Sequence, residues 1–328
     1  MKLLVTGGAG FIGSTFVKRQ LSENSNFQWD EVTVVDCLSY SGNLENLKSC
    51  SLNPKFNFIN AKIQDAESFQ EELLNSDVVI NFAAESHVDR SIHSSESFIL
   101  SNVLGTSALL EVIRKSNKHI IFIQISTDEV YGSIQAGSWD ELNILSPNSP
   151  YSASKASADL ISLSFFRTHG IDVRITRCSN NFGPNQFPEK VIPRFITNLI
   201  DMKSIPIYGK GENIRDWLSV DDHCRGIELV IQNGNAGEIY NLGGGHEITN
   251  IDLAKLILSE MNLNEKYISF VPDRLGHDLR YSVDVNKAEN LLGYKPEKNF
   301  LTEIRKTIDW YKDNEGWWRP LISKAKSE

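Results

Sequence analysis

The chain has 328 residues, 41% of them hydrophobic, and a formal net charge of −9, which predicts two domains and argues against a broad nucleic-acid or anionic-membrane surface. Its four cysteines and seven histidines show neither the spacing of a zinc site nor the density of a disulfide scaffold. No apolar run approaches membrane length, and glycines follow Met1 too soon for a signal peptide, so we predict a cytoplasmic protein without a metal.

The N-terminus, MKLLVTGGAGFIGS, predicts a short strand followed by a turn with Gly7, Gly10 and Gly13. Glycines at this spacing let the backbone approach a pyrophosphate, and the next helix directs its positive end at the phosphates. The alternative is a glycine-rich turn that binds nothing. Context favours NAD, because the second strand ends at Asp36, whose carboxylate can accept both ribose hydroxyls and would repel the 2′-phosphate of NADP.

Strands and helices then alternate, which predicts a Rossmann-type, doubly wound α/β fold with a parallel sheet. The predicted strands are 2–6, 31–35, 56–59, 77–84, 120–125 and 171–176, and the predicted helices are 16–21, 67–75 and 98–115. We assign 1–177 to a cofactor-binding domain, joined by a return strand at 238–242, and 178–328 mainly to a smaller substrate domain. That second part has predicted helices at 193–202, 252–261 and 300–312 and a polar tail, 323–328, predicted to fray.

Polar residues follow the predicted strand at 120–125, beginning with Ser126, Thr127, Asp128 and Glu129. Ligands of open α/β sheets bind at the carboxyl ends of strands. Two adjacent carboxylates at this edge are either solvated loop residues or an acid and a base. A similar polar run follows the strand at 77–84, and its His87 is equally well explained as a structural histidine.

Tyr151 and Lys155 lie four residues apart and therefore on one face of a helix. A nearby ammonium favours the phenolate and lowers the tyrosine pKa from about 10, which would make a base for a hydroxyl proton. The alternative is an ordinary surface pair. The dinucleotide turn and the S-T-D-E segment that precede it favour catalysis.

The second part of the chain carries its cations in local clusters. Each alone is explained as a surface charge, but together they can clamp a diphosphate, since arginine binds phosphate through two parallel hydrogen bonds. The clusters are Lys190 with Arg194, Arg215, and Arg274 with Arg280 and His277.

These motifs together resemble the extended short-chain dehydrogenase/reductase superfamily and, within it, the dTDP-glucose 4,6-dehydratases of deoxysugar biosynthesis. The resemblance covers essentially the whole chain. It rests on TGGAGFIGS, VVDCLSYSGN, AAESHVDRS, STDEVYGS, YSASK, SNNFGPNQFPEK, IYGKGENIRDW and DRLGHDLRY. The pair Asp128–Glu129 discriminates best, because related sugar-nucleotide epimerases generally lack it.

The resemblance implies an NAD-dependent hydro-lyase that converts dTDP-glucose to the 4-keto-6-deoxy sugar and water. Tyr151, aided by Lys155, would take the 4-hydroxyl proton as carbon 4 gives hydride to NAD, with Thr127 holding that hydroxyl. Glu129 would then remove the carbon 5 proton, and Asp128 would donate a proton to the departing 6-hydroxyl before the hydride returns to carbon 6. Repulsion and burial can keep one carboxyl neutral beside a charged one.

Two sets of binding residues are also implied by the resemblance. The NAD set is Gly7, Gly10, Phe11, Ile12, Gly13, Asp36, Cys37, Leu38, Ser39, Ile63, Ala83, Ala84, Ser101, Tyr151, Lys155 and Asn181. The nucleotide-sugar set is Ser86, Thr127, Asn180, Glu189, Lys190, Tyr208, Arg215, Asn250, Arg274 and His277.

Three positions depart from the family pattern. Lys62 stands where relatives usually have an acidic residue that contacts adenine. Asn185 stands where relatives often carry an aromatic residue, and Leu275 where many have proline. The helix that carries Tyr151 commonly forms a dimer interface in this superfamily, so a homodimer is expected. Another nucleotide-sugar dehydratase, an epimerase, a decarboxylase and a non-catalytic NAD-binding module are the alternatives.

Overall fold

The computed structural model describes residues 1–327, with side chains up to residue 323. The strands are β1 (Lys2–Thr6), β2 (Glu31–Asp36), β3 (Phe56–Asn60), β4 (Val78–Asn81), β5 (Ile121–Thr127), β6 (Asp172–Cys178), β7 (Asn180–Phe182), β8 (Ile205–Tyr208), β9 (Ile214–Ser219), β10 (Ile239–Leu242), β11 (Glu247–Thr249) and β12 (Ile268–Val271). The helices are α1 (Phe11–Gln20), α2 (Gln70–Asn75), α3 (Val88–His93), α4 (Glu96–Phe98), α5 (Gly105–Ile113), α6 (Pro150–His169), α7 (Val191–Ile200), α8 (Val220–Asn233), α9 (Asn250–Glu260), α10 (Asn286–Leu292), α11 (Phe300–Asp313) and α12 (Glu315–Ser327).

A seven-stranded sheet of order β10-β6-β5-β4-β1-β2-β3 forms the centre of the molecule. Every neighbouring pair in it is parallel. Successive side chains of a strand point to opposite faces, so Leu3 and Val5 pack into one core cluster and Leu4 into another. Buried apolar side chains cover both faces of the sheet, and the predicted doubly wound Rossmann-type fold is confirmed.

The two clusters on the faces of the central sheet form the first core of the molecule. A second core lies in the later part of the chain. Here β11, β9 and β7 form a three-stranded sheet, and β12 pairs with β8. Helices α7, α9, α11 and α12 contribute Phe195, Leu253, Ile304 and Trp318 to this core. Trp318 is buried in this core, and Trp310 and Trp317 are partly buried against it, as their apolar surface favours.

The chain after Cys178 contributes to both cores. Strand β10 pairs with β6, which confirms the predicted return strand. Cys224 and Ile227 of α8 and Leu292 of α10 join the core that contains Leu3. The boundary between the two predicted domains stays a prediction.

Several predicted elements differ at their ends. The predicted strand 77–84 is shorter, because the chain leaves the sheet after Asn81. The predicted helix 16–21 begins earlier, at Phe11, directly after the glycine turn. Helices α3, α8, α10 and α12 were not predicted, since polar residues interrupt their apolar pattern. The predicted fraying of 323–328 falls partly outside the described residues, and α12 is helical to Ser327.

One helical run, Glu96–Ile113, is long and apolar enough to cross a membrane by length and composition. The expectation that no apolar run approaches membrane length is therefore wrong. A π-helical segment, Ile99–Leu104, links α4 and α5 within this run. Phe98 on α4 is buried, and Leu109 and Leu110 on α5 pack in the core with α6. Core helices pass the same test, so length and composition are weak evidence for a span.

Candidate active site

The carboxyl ends of β1, β2, β4, β5 and β6 open onto a cavity of about 520 Å³. A second cavity, of about 160 Å³, lies against it and is walled by the second part of the chain. Ser86, Glu129, Asn180 and Lys190 line both cavities. The position agrees with the general rule for ligand sites in open α/β sheets.

The predicted site residues converge on these two cavities, and their binding roles stay predictions. The larger cavity is lined by Gly7, Gly10, Phe11, Ile12, Gly13, Asp36, Cys37, Ser39, Ile63, Ala83, Ala84, Ser101, Thr127, Asp128, Tyr151, Lys155 and Asn181. The smaller is lined by Ser86, Asn180, Glu189, Lys190, Tyr208, Arg215, Asn250, Arg274 and His277. Of the predicted catalytic, NAD-binding and nucleotide-sugar residues, all of which the structure describes, Leu38 alone lines neither cavity.

The glycine turn has the shape that a pyrophosphate requires. Gly7 has φ +67°, and a Cβ there would lie 2.5 Å from Ala83 N. A Cβ on Gly13 would overlap the Gly7 carbonyl, so the first turn of α1 can pack closely against β1 only with glycine. Gly10, the residue before α1, contributes no side-chain cap, and the helix N-terminus lines the cavity. These residues fit a dinucleotide phosphate.

Asp36, the last residue of β2, hydrogen-bonds to the glycine turn through its carboxylate. Its Oδ2 accepts from Ala9 N at 2.9 Å and its Oδ1 from Leu38 N at 2.8 Å. Burial raises the pKa of Asp36, and the two amides oppose that shift. Leu38 thus acts through its backbone rather than through a cavity-lining side chain. Each carboxylate oxygen keeps a second lone pair, which is the acceptor pattern that a ribose diol needs.

Asp128 and Glu129 begin the 3₁₀ turn Asp128–Tyr131 that follows β5. Asp128 is 2% exposed, and burial, followed by repulsion from Glu129, raises its pKa well above the ordinary aspartate value. Burial also raises the pKa of Glu129, but Arg215, Lys190 and Arg274 oppose the shift. The environment therefore favours a protonated Asp128 beside a more readily ionised Glu129, in the direction that the sequence predicts.

Tyr151 and Lys155 occupy one face of α6, as their spacing predicts. Burial, then the charges of Glu129, Cys178 and Asp128, raises the pKa of Tyr151 well above 10. Lys155 Nζ donates to the Ile125 carbonyl at 2.6 Å. The expectation that the pKa of Tyr151 is lowered is therefore wrong for the protein alone, because desolvation by burial is the largest effect on this hydroxyl.

The smaller cavity gathers most of the predicted cations. Arg274 Nε lies 2.6 Å from Asp89 Oδ1, and Lys190 Nζ donates to the Ser86 carbonyl at 2.6 Å. Arg194 also lines this cavity. Arg280 pairs with Glu247 at 2.6 Å and lines neither cavity of the described chain, so its place in the predicted diphosphate clamp is corrected.

Two residues of the DRLGHDLRY segment had no predicted role. The Tyr281 hydroxyl donates to Asp278 Oδ2 at 2.6 Å, and the Arg215 guanidinium lies 4.3 Å from the centre of the Tyr281 ring. Arg215 Nη2 also donates to the Asp278 carbonyl at 3.0 Å. Both residues belong to the DRLGHDLRY motif on which the family resemblance rests, but their contact with Arg215 depends on the fold.

The three departures from the family pattern are placed differently. Lys62 and Asn185 line the larger cavity, whereas Leu275 is exposed and lines neither described cavity. Asn185 has φ +64°, a conformation in which asparagine is several-fold enriched. His87 caps α3, where its Nδ1 accepts from Arg90 N at 3.4 Å, and it also lines the smaller cavity, which is consistent with both interpretations of this residue.

Within residues 1–323, no group of three or more His, Cys, Asp or Glu side chains could hold a metal ion. The cavities are instead lined by glycine backbone, carboxylates, hydroxyls and cations. Such a donor set suits a dinucleotide and a phosphorylated ligand.

The family described as GDP-mannose 4,6 dehydratase matches residues 4–307 of the chain. A dTDP-glucose 4,6-dehydratase from Actinoplanes sp. is 50% identical over 322 residues, which cover 97% of this chain and 100% of that protein. The chain belongs to the dTDP-glucose 4,6-dehydratase family. The family predicted from the sequence motifs is thereby confirmed.

Solved structures extend the likeness to the whole fold. DesIV, a dTDP-glucose 4,6-dehydratase from Streptomyces venezuelae solved with NAD and a second ligand bound, matches with a TM-score of 0.96 and 50% identity, covering 98% of this chain and 100% of that one. A UDP-glucuronic acid 4-epimerase from Bacillus cereus matches with a TM-score of 0.88 and 28% identity, covering 95% and 99%. The chain therefore shares its fold with both proteins, and its sequence is more similar to that of the dehydratase than to that of the epimerase.

Proposed function

We propose that this chain is a dTDP-glucose 4,6-dehydratase, an NAD-dependent lyase that forms the 4-keto-6-deoxy sugar and water. The observation that carries the proposal is that Asp128 and Glu129 line the larger cavity together with Tyr151 and Lys155, and that Glu129 also lines the smaller cavity. A redox site alone needs only the tyrosine and the lysine. Two carboxyls with different environments are what an elimination between two hydride transfers requires.

The larger cavity supports NAD as the cofactor. Backbone amides at the start of α1 would hold the pyrophosphate, and Asp36 would accept the ribose hydroxyls. When bound, NAD supplies the hydride acceptor for carbon 4 and the hydride donor for carbon 6. The relative with the matching fold, DesIV, is solved with NAD bound.

Residues of the smaller cavity would hold the nucleotide sugar. Lys190, Arg215 and Arg274 bring three cations to this cavity, enough to balance a diphosphate. The same cations lower the pKa of Glu129 against the effect of burial. Substrate binding and base chemistry therefore use one set of charges.

The catalytic residues would act in two stages. Tyr151 takes the proton of the 4-hydroxyl while Thr127 holds that oxygen and Lys155 supplies positive charge one helical turn away. The carbon 4 ketone acidifies the neighbouring carbon 5 proton, which Glu129 removes. Asp128, kept protonated by burial, donates to the departing 6-hydroxyl, so that oxygen leaves as water. Carbon 5 takes up a proton again as carbon 6 receives the hydride.

A 4-epimerase is the second candidate, because the Bacillus cereus epimerase shares the fold. Epimerisation removes and returns hydride at carbon 4 and needs no acid at carbon 6. A buried, protonated Asp128 next to Glu129 has no task in that reaction. The pair therefore favours the dehydratase.

We also propose that the protein works as a homodimer in the cytoplasm. Leu104 and Leu160 are 51% and 58% exposed on helical segments that pack against each other, beside the catalytic tyrosine. Exposed leucines on adjoining helices suit a contact with a second copy. The four cysteines are all free, which supports a reducing compartment.

The test is a product assay with purified protein and dTDP-glucose, without added reductant. We expect the 4-keto-6-deoxy sugar, and dTDP-6-deoxyglucose as a control should reduce bound NAD without any elimination. A product that keeps its 6-hydroxyl and is inverted at carbon 4 would identify an epimerase. Absence of turnover with dTDP-, UDP-, CDP- and GDP-hexoses would overturn the proposal.

A further inference from the structure

We propose that Arg177 is a positioning residue that holds the helix of Tyr151 and Lys155 in register with the turn of Asp128 and Glu129. The inference rests on the proposed function, because it concerns the coupling of hydride transfer to elimination. Neither Arg177 nor its carboxylate partner lines the two cavities of the described chain. Arg177 therefore acts through other residues and does not touch the reacting groups.

The first contact of Arg177 is with the catalytic helix. Arg177 lies in β6, and its Nε donates to Asp159 Oδ2 at 2.9 Å. Their side chains are 2% and 0% exposed. Asp159 lies on α6, one helical turn beyond Lys155 and two beyond Tyr151, so all three share one buried face. The ion pair thus ties that face of α6 to the sheet.

The second contact is with the turn that carries the acid and the base. Arg177 Nη1 donates to the Tyr131 hydroxyl at 2.8 Å, and the guanidinium lies 4.7 Å from the centre of the Tyr131 ring. Tyr131 is the last residue of the 3₁₀ turn Asp128–Tyr131. The one guanidinium therefore joins the two catalytic elements.

Tyr131 is also held from its other side. Its hydroxyl donates to Asn241 Oδ1 at 2.9 Å, and Asn241 Nδ2 donates to the carbonyls of Trp139 and Asp284 at 3.0 and 3.2 Å. Asn241 belongs to the return strand β10. The ring cannot swing away from Arg177 without leaving buried polar groups unpaired.

Arginine suits this position for a physical reason. Its planar fork directs several N–H donors in fixed directions, whereas a lysine ammonium is a compact charge on a flexible stem. Breaking a buried ion pair leaves an uncompensated charge. The Asp159–Arg177–Tyr131 arrangement is therefore rigid, and rigidity matters because a misplacement of about 1 Å can slow catalysis about 10²-fold.

The arrangement predicts different effects on the two stages of the reaction. Tyr131→Phe removes the hydroxyl that hydrogen-bonds to Arg177 and Asn241 and leaves only the ring contact, so it should slow elimination relative to hydride transfer by about 10- to 100-fold. Reduced nicotinamide should then accumulate on the enzyme during a single turnover. Asp159→Asn loosens the helix of Tyr151 and should slow hydride transfer instead, so that less reduced nicotinamide accumulates.

Arg174→Lys is the matched control. Arg174 lies on the same strand, is buried, and pairs with Asp172 through Nε and Nη2 at 3.0 and 2.9 Å. Its Nη1 donates to the carbonyls of Val230 and Ile231, away from the catalytic elements. The control should lower the unfolding temperature without changing the ratio of the two rates.

Three measurements on the holoenzyme test the proposal: absorbance of reduced nicotinamide, deuterium exchange at carbon 5, and thermal unfolding. Opposite shifts of the rate ratio in Tyr131→Phe and Asp159→Asn would support it. A ratio unchanged from wild type in both variants, as in Arg174→Lys, would overturn it and leave the proposed function intact. Absence of wild-type turnover would overturn both.

Discussion

At the scale of single residues, two adjacent carboxyls acquire different chemistry from their surroundings. Asp128 is enclosed at the end of β5, and repulsion from its neighbour adds to the effect of burial. Glu129 lies at the junction of the cavities and faces Arg215, Lys190 and Arg274. Sequence placed both residues in the site, but only the surrounding charges distinguish the acid from the base.

Glu129→Gln should separate the two stages of the reaction. Removing the base should slow exchange of the carbon 5 proton with solvent by about 10²- to 10⁴-fold, while substrate still reduces bound NAD. Deuterium incorporation and nicotinamide absorbance measure the two stages. Glu141→Gln is the control, because burial also raises the pKa of Glu141, yet it lines neither described cavity. Normal exchange in Glu129→Gln would assign the base to another residue.

The pH dependence of kcat should follow from the same pair. Asp128 must be protonated, so activity is lost as pH rises through its raised pKa; Glu129 must be ionised, so activity is lost as pH falls through its own. Lys190 lowers the pKa of Glu129, so Lys190→Met should move the acid limb to higher pH.

A pH profile at saturating substrate checks this prediction, with Lys48→Met, an exposed lysine, as the control. An acid limb at the same pH in Lys190→Met and wild type would contradict the assignment of Glu129 as the base.

At the scale of elements, the β1–α1 turn was the most predictable part of the chain. Its glycine spacing has few geometric solutions, because Gly7 is in the left-handed region and packs against the end of β4. The start of α1 was harder to predict, since glycines and small residues carry no apolar period. Helix α8 was not predicted, because its buried face includes the polar and small residues of the segment DHCRG and therefore lacks an apolar period.

Gly13→Ala should weaken NAD binding and destabilise the protein by about 1–3 kcal/mol, because its new methyl group would overlap the Gly7 carbonyl. Thermal unfolding and titration with NAD measure the two effects. Gly316→Ala is the control, since its added Cβ meets no atom of the described chain within 4 Å. Wild-type affinity and stability in Gly13→Ala would show that the turn can relax.

At the scale of the whole molecule, the cavities lie between the Rossmann sheet and the second core. Arg215 of β9 and Arg274 after β12 reach a site built on β5 and α6. Their positions in the sequence are distant from Glu129. The substrate side of the site therefore depends on how the later chain folds back over the sheet.

The proposed dimer can be tested by charge substitution on the exposed helical surface. A Leu104→Glu and Leu160→Glu double variant should halve the mass measured by light scattering, because it places charges in an apolar contact. Leu52→Glu, at a leucine that is 93% exposed elsewhere, should leave the mass unchanged. A monomeric wild-type protein would contradict the proposal.

The sequence by itself determined the fold class, the family and the convergence of glycines, carboxylates, tyrosine and lysine on one sheet edge. These features follow from local spacing and strand period, which leave few alternatives. Only the tertiary structure showed that the pKa of Tyr151 is raised, that Arg280 lies outside both cavities, and that Arg177 connects Asp159 with Tyr131. Each depends on burial or on contacts between distant segments, which the order of residues does not specify.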